Sequence, residues 1–193
     1  AHSIPEESFC PVVAYRNNTR YKQKINPITL QKPQTLNYKK NGTYLIFGGL
    51  GKIGFEIAKS IVQREKVKII IAGRSQLTEN QKRKLHTLFE LGSDVLYYKV
   101  DIANFLQVQK MINEVNSKVG KINGIIHAAG INKPKFLINK TIDSFKQVLD
   151  PKCNGTIAID LATRNENLDF LAIFSSLASI TGGSGLSDYA AAN

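Results

Sequence analysis

The sequence predicts an α/β fold, a parallel sheet with helices on both faces, and three observations lead there. Short apolar runs recur between residues 43 and 175, and stretches of helical periodicity separate them. The runs are apolar throughout instead of alternating, as strands buried on both faces are. The first of them, Thr43-Tyr44-Leu45-Ile46-Phe47, passes through the turn Gly48-Gly49-Leu50-Gly51-Lys52-Ile53-Gly54 into the amphipathic segment 55–62. Strand, glycine turn and helix in this order make a dinucleotide pocket, so the doubly wound sheet is expected to be of Rossmann type. Glycines let the backbone turn sharply and approach a pyrophosphate, and free N–H groups at the helix start point at its charge.

Taken in order, residues 1–40 read apart from the rest. Segments 11–16 and 20–25 suggest two short strands around the turn Asn17-Asn18-Thr19. Asn26-Pro27 and Gln31-Lys32-Pro33 then suggest an extended linker. Two strands are too few to be stable alone, so they must pack on something else. From residue 41 the expected order is strand 43–48, helix 52–64, strand 67–72, helix 78–91, strand 95–100, helix 104–119, strand 124–129, helix 141–164 and strand 169–175. A last helix begins near Ser187, and the sequence stops at Asn193 with that helix in progress. A Rossmann domain has more strand and helix after such a point. The chain therefore reads as a domain incomplete at its C-terminus, expected to be poorly active or unstable by itself.

At 193 residues, 42% apolar and 21% charged, the composition is that of an ordinary soluble domain. No apolar run approaches the roughly 20 residues that span a bilayer, and no signal peptide is visible. Cys10 and Cys153 have no metal or redox spacing and are read as reduced thiols in a cytoplasmic protein. The formal charge of +11 is spread along the chain, which argues against nucleic acid. A basic surface suits a phosphate-rich cofactor and an acidic carrier protein.

Several residues at the strand ends carry chemistry. An acidic residue about 20 positions after the glycine turn grips the ribose 2′-hydroxyl of NAD; here Arg74 stands at that place, followed by Ser75. A cation there suits a 2′-phosphate, with Ser75 adding a hydrogen bond, so NADP(H) is expected over NAD(H). Asp101 follows the third strand, where it either accepts from an adenine amino group, with Ile102 beside it, or caps the next helix. The small residues Ala128, Ala129 and Gly130 let a cofactor lie against the backbone, and His127 before them reads as structural. Ser175-Ser176 ends the fifth strand, and the loop Thr181-Gly182-Gly183-Ser184-Gly185 returns the chain towards it. Tyr189 and Asn193, four apart, share a helical face, and Lys152 lies inside the long helix.

With GGLGKIG, AGRS, KVDIAN, HAAGI, DPKCNGT, FSSLASITGGSGLSDYAAAN and the leading VVAYRNNTRYKQKI, the chain resembles the ketoreductase domain of a modular polyketide synthase, within the short-chain dehydrogenase/reductase superfamily. Ordinary short-chain dehydrogenases carry Tyr-x-x-x-Lys; Tyr-Ala-Ala-Ala-Asn, with the lysine in the preceding helix, is similar to the synthase variant. The resemblance implies that residues 1–40 hold the last strands of a structural subdomain plus a linker, and residues 41–193 an NADPH-binding catalytic domain. It implies Tyr189 as general acid and Lys152 as the cation that stabilises phenolate and holds the nicotinamide ribose. Ser176 would hydrogen-bond the carbonyl oxygen, and Asn193 would align lysine and ordered water. The cofactor residues it implies are Gly48, Gly49, Leu50, Gly51, Ile53, Gly54, Arg74, Ser75, Asp101, Ile102, Ala128, Ala129 and Gly130, with no metal.

The implied activity is NADPH-dependent reduction of a β-ketoacyl thioester, carried by phosphopantetheine on an acyl carrier protein, within a synthase whose neighbouring domains are further partners. Two departures bear on stereochemistry. Asn132-Lys133-Pro134 replaces the family's Leu-Asp-Asp, and Thr181 stands where one subgroup has tryptophan. The first leans to the A-type, L-hydroxyl product. The rival readings are a free-standing reductase of a small carbonyl, against which the leading strands speak, and a silent reductase-like module, against which the Lys152, Ser176, Tyr189, Asn193 set speaks.

Overall fold

Asn17 and Asn18, at φ 48° and 58°, turn the chain between β1 (Val13–Arg16) and β2 (Thr19–Lys22). Positive φ at both central residues is what a two-residue I′ hairpin demands, and asparagine tolerates it. The strands pair antiparallel from Arg16↔Thr19 to Val13↔Lys22. Thr19 is therefore a strand residue, not the third turn residue expected from the sequence. The computed structural model describes residues 13–24, 26–29 and 38–193, in two units, Ala1–Leu36 and Asn37–Asn193. The expected strand positions 11, 12 and 25 and the Gln31–Pro33 stretch lie outside the described residues.

In the second unit five apolar runs pair as parallel strands, and each of the first four is followed by a helix able to carry the chain back across the sheet. The succession is β3 (Thr43–Phe47), α1 (Lys52–Arg64), β4 (Lys68–Gly73), α2 (Glu79–Glu90), β5 (Asp94–Lys99), α3 (Phe105–Lys118), β6 (Ile122–His127), α4 (Ile142–Thr163), β7 (Phe170–Ile173), α5 (Ala178–Thr181) and α6 (Ser187–Ala192). The spatial order is β5-β4-β3-β6-β7. The chain builds outward from β3 to β5 and then returns to lay β6 on the other side of β3. That reversal opens a crevice at the carboxyl ends of β3 and β6.

The period of two divides each central strand between two cores. Leu45, Phe47, Ile70, Ala72 and Ile125 face Val108, Met111, Ile112 and Val115 of α3 and Ala158, Ile159 and Ala162 of α4. Tyr44, Ile46, Ile69, Ile71 and Ile126 face Ala58, Ile61 and Val62 of α1 and Leu88 of α2. Every residue of β3 is buried, whereas β5 and β7, at the sheet edges, are only partly covered. Side chains start the helices where the sequence supplies them. Thr78 and Gln81 form a capping box on α2, Thr141 and Ser144 one on α4, and Asn104 accepts from Gln107 N at 3.1 Å on α3.

Several elements differ from the sequence-based expectation: β2 is Thr19–Lys22 and does not run on through residues 23 and 24, and β6 is Ile122–His127 instead of 124–129. β7 ends at Ile173 instead of residue 175; Phe174 N still donates to His127 O, but no ladder continues through Ser175 and Ser176. An edge strand has a partner on one side only, so it stops where that partner stops. The stretch between Ser176 and Ser187 contains α5, and a 3₁₀ turn occupies Leu137–Asn139. No helix among the described residues is long and apolar enough to cross a membrane.

Leu45 is fully buried at the centre of this sheet. Leu45→Ala is expected to cost about 2–5 kcal/mol, read as a lower denaturant midpoint at an unchanged slope.

Candidate active site

The chain must pass very close to itself where β3 turns into α1. Gly48, at φ 75°, lies against the end of β6, and a Cβ there would come within 2.7 Å of Ala129 N and Cα. A Cβ on Gly54 would stand 2.5 Å from Gly48 O. Any side chain at either position would force the turn open. Gly51 caps α1 with no side chain, and the first turn of that helix holds no acidic residue. Its N–H groups and the positive end of its dipole are therefore offered to the crevice uncompensated. Lys84 of α2 supports the turn from behind, donating to Leu50 O at 2.8 Å with its ammonium 5.0 Å from the Phe55 ring centre.

Two adjoining cavities make up the crevice. The first, about 220 Å³, runs from Gly48 and Gly51 past Gly73 and Arg74 to Asp101 and Ile102. The second, about 400 Å³, is walled by Lys52, Ile53 and Gly54 together with Asn132, Lys152, Phe174, Ser175 and Tyr189. Gly51, Ala128, Gly130 and Ile131 line both, so the two form one groove.

Gly130 lets the stem of Lys152 cross the end of β6, since a Cβ there would lie 2.8 Å from Lys152 Cε. The ammonium then donates to Phe174 O at 2.5 Å, and its burial pushes the pKa of Lys152 down. His127, fully buried, is bonded through Nε2 to Pro151 O at 3.0 Å, the carbonyl just before Lys152. Since a carbonyl only accepts, Nε2 carries the proton. The pKa of His127 is lowered to about 4 from the ordinary 6.5, first by burial and then by the Lys152 charge, against the Pro151 bond. This neutral imidazole is structural, as the sequence reading expects.

The other residues singled out from the sequence divide between the groove wall and its supports. Ala129 lines the first cavity with Arg74, Asp101 and Ile102. Asp101 Oδ1 accepts from Ala103 N at 3.1 Å, and Asn104 is the N-cap of α3, so the capping alternative for Asp101 is corrected. Gly49 packs beneath the turn against Ile46 and Ile71, and Leu50 belongs to the core. Ser75 is exposed, off both cavity walls, and its carbonyl accepts from Tyr97 OH at 2.6 Å.

Near α6, Ser175 reaches the second cavity and donates to Asn193 O at 2.6 Å. Ser176 stands off the wall, with Oγ accepting from Ala178 N at 3.2 Å. Asn193 Nδ2 donates to Tyr189 O at 2.8 Å, while its Oδ1 is buried without a partner among the described residues. Lys52, Ile131, Asn132 and Ser175 are wall residues to which the sequence reading gave no binding or catalytic role. Lys52 and Ile131 lie inside the GGLGKIG and HAAGI stretches, and that membership was the signal that could have found them.

A glycine-turned strand and helix at the reversal point of a parallel sheet, above a continuous groove, define a nucleotide-binding α/β domain of the Rossmann class. The family model of the KR domain matches residues 42–193, and the chain belongs to that family, the ketoreductase domains of polyketide synthases. It is 40% identical over 183 residues to polyketide synthase PksN of Bacillus subtilis (strain 168), covering 94% of this chain and 3% of the synthase. With polyketide synthase PksM of the same organism the identity is 36% over 181 residues, covering 94% and 4%.

Among solved structures, the N-terminal ketoreductase from the macrolactin assembly line superposes with TM-score 0.81 at 37% identity, over 91% of this chain and 35% of that one. A ketoreductase domain from the bacillaene assembly line gives 0.83 at 35% identity, over 94% and 43%. The chain thus spans 3–4% of these two synthases and less than half of either solved chain.

His127 makes stability depend on pH. The unfolded chain takes up this proton near pH 6.5 and the folded protein only near 4. Its contribution is fully present above pH 6.5 and is lost as the pH falls to 4, a change of about 3 kcal/mol. Replacing it by His127→Asn is expected to flatten that part of the stability–pH curve, measured by denaturant unfolding from pH 7 to 4; an unaltered slope would show that His127 does not titrate in this way.

Proposed function

We propose that this groove reduces the ketone of a β-ketoacyl thioester, carried by phosphopantetheine on an acyl carrier protein, to the β-hydroxyacyl thioester, with NADPH as cofactor. The supporting observation is that Lys152 and Tyr189, from α4 and α6, stand on the wall of one cavity that the glycine turn also lines. Membership of the KR domain family and likeness to polyketide synthases support the substrate class.

The residues present fit a dinucleotide. Gly48 and Gly54 leave space that a Cβ would fill, and the first turn of α1 offers N–H groups with no carboxylate competing for them. Arg74 on the wall of the first cavity would pair with a 2′-phosphate, and Asp101 and Ile102 would flank the adenine. Ala128, Ala129 and Gly130 would let the nicotinamide end lie on the backbone. When bound, the reduced nicotinamide supplies the hydride.

The chain's own groups handle the oxygen and its proton. The Tyr189 phenol gives its proton to the ketone oxygen as that oxygen gains charge. Lys152, held over Gly130 by Phe174 O, supplies a half-buried cation that stabilises the phenolate left behind. Ser176, which the resemblance assigns to the ketone oxygen, stands off the cavity wall with its Oγ accepting from Ala178 N, so the proton transfer rests on Tyr189 and Lys152. The unpartnered Asn193 Oδ1 is the acceptor that would hold an ordered water for returning a proton.

Two substitutions in the intact protein test this reading. Tyr189→Phe is expected to lower turnover of a β-ketoacyl thioester on the order of 10²-fold or more while NADPH binding persists, followed by NADPH oxidation and by fluorescence titration. Near-normal turnover would reject the general-acid role. Arg74→Asp is expected to weaken NADPH binding and spare NADH; an unchanged preference would remove Arg74 from the site.

A further inference from the structure

Among the described residues, one ion pair has both side chains buried. Lys140 Nζ stands 2.7 Å from Asp188 Oδ2, with side-chain exposures of 3% and 1%. The other pairs are partly or largely in solvent, where their contribution is small. Removing two charges from water is costly, and this carboxylate and ammonium hold that position through further bonds. Lys140 Nζ also donates to Lys133 O at 3.1 Å, and Asp188 Oδ1 accepts from Tyr189 N at 2.8 Å.

The pair joins two segments that both contribute to the wall of the second cavity. One is the stretch from Asn132 to Lys140, with Asn132 on the wall; the other is α6, with Tyr189 on the wall. A second tie runs parallel to the first, Lys135 N donating to Gly185 O at 3.0 Å. Gly185, at φ 73°, leaves room for that contact, because a Cβ would lie 3.2 Å from Lys135 N. Leu186 gives the start of α6 no side-chain cap, and the buried pair acts on the residue beside Tyr189.

We infer that Asp188, through its buried pair with Lys140, is a positioning residue that aims Tyr189 into the cavity and sets its distance from the Asn132 wall. The inference rests on the ketoreductase reading for the importance of that aim. A tyrosine displaced by about 1 Å would lose on the order of 10²-fold in rate while the remote cofactor contacts remain.

Two variants of the intact protein test it. Asp188→Glu keeps the charge pair and lengthens its reach by one methylene. The double variant Lys140→Met/Asp188→Leu removes both charges and leaves neither one buried alone. Each is expected to lower kcat for the ketone on the order of 10- to 100-fold with the NADPH Kd unchanged. In the double variant, amide hydrogen exchange at Tyr189–Ala192 is expected to rise by about tenfold or more as α6 loosens. Wild-type kcat in either variant, or kcat and NADPH affinity lost together, would overturn the positioning role. Unchanged exchange in the double variant would do so as well. The exchange measurement reads the docking of α6 without any chemistry. A wild-type protein that reduces no ketone would instead fail the functional reading, whatever the exchange shows.

Discussion

The parallel pairing of β3 with β6 brings the turn after one strand against the end of the other, so closely that Gly48 has no room for a side chain beside Ala129. The groove exists because of that contact. It lies where the strand order reverses, and it directs the uncapped start of α1 into the gap. The small residues after β6 extend the same constraint. Gly130 leaves a passage for the stem of Lys152, which brings an ammonium from the middle of α4 to the carbonyl of Phe174 beyond β7. Two distant helices can therefore contribute to one cavity wall.

Few polar side chains are buried in this unit, and each with a partner ties separate pieces of chain or closes a helix. Ser93 donates to Val67 O at 2.8 Å, and Thr163 to Ile159 O at 2.7 Å within α4. Two buried ionisable residues, His127 and Asp188, stand next to the groove. His127 holds the carbonyl preceding Lys152, and Asp188 precedes Tyr189 and pairs with Lys140. The low-dielectric interior makes such bonds strong and their loss costly, so the same burial that stabilises the sheet also orients the wall residues. Supporting bonds behind a reactive group keep it within the small range of positions in which it can act.

Most of the secondary structure could be read from local pattern. Continuous apolar runs marked the five parallel strands, and α1 spans the residues expected of it, because Gly51 ahead of Ala58, Ile61 and Val62 sets both its start and its buried face. The elements that escaped altogether are short, and strand ends were misplaced by up to two residues both at the central β6 and at the edge. α5 has four residues and the 3₁₀ turn three, below the length at which periodicity is visible. β7 was read one residue too long at its start and two at its end, since Phe174 and Ser175 have strand-like neighbours but no partner ladder.

By itself the sequence determined the α/β class, the burial of the strands on both faces and the place of the glycine turn. These depend on residue type and spacing within a few positions, through alternation and the steric freedom of glycine. Tertiary structure decided the order β5-β4-β3-β6-β7, the choice of Ser175 over Ser176 for the cavity wall and the burial of Asp188 against Lys140. Beyond Ile173 no ladder bond fixes which of two adjacent serines faces the groove, and an aspartate in the first turn of a helix reads as solvent-facing until a distant lysine closes over it. Contacts between residues far apart in the chain leave no periodic trace in it, and only folding brings them together.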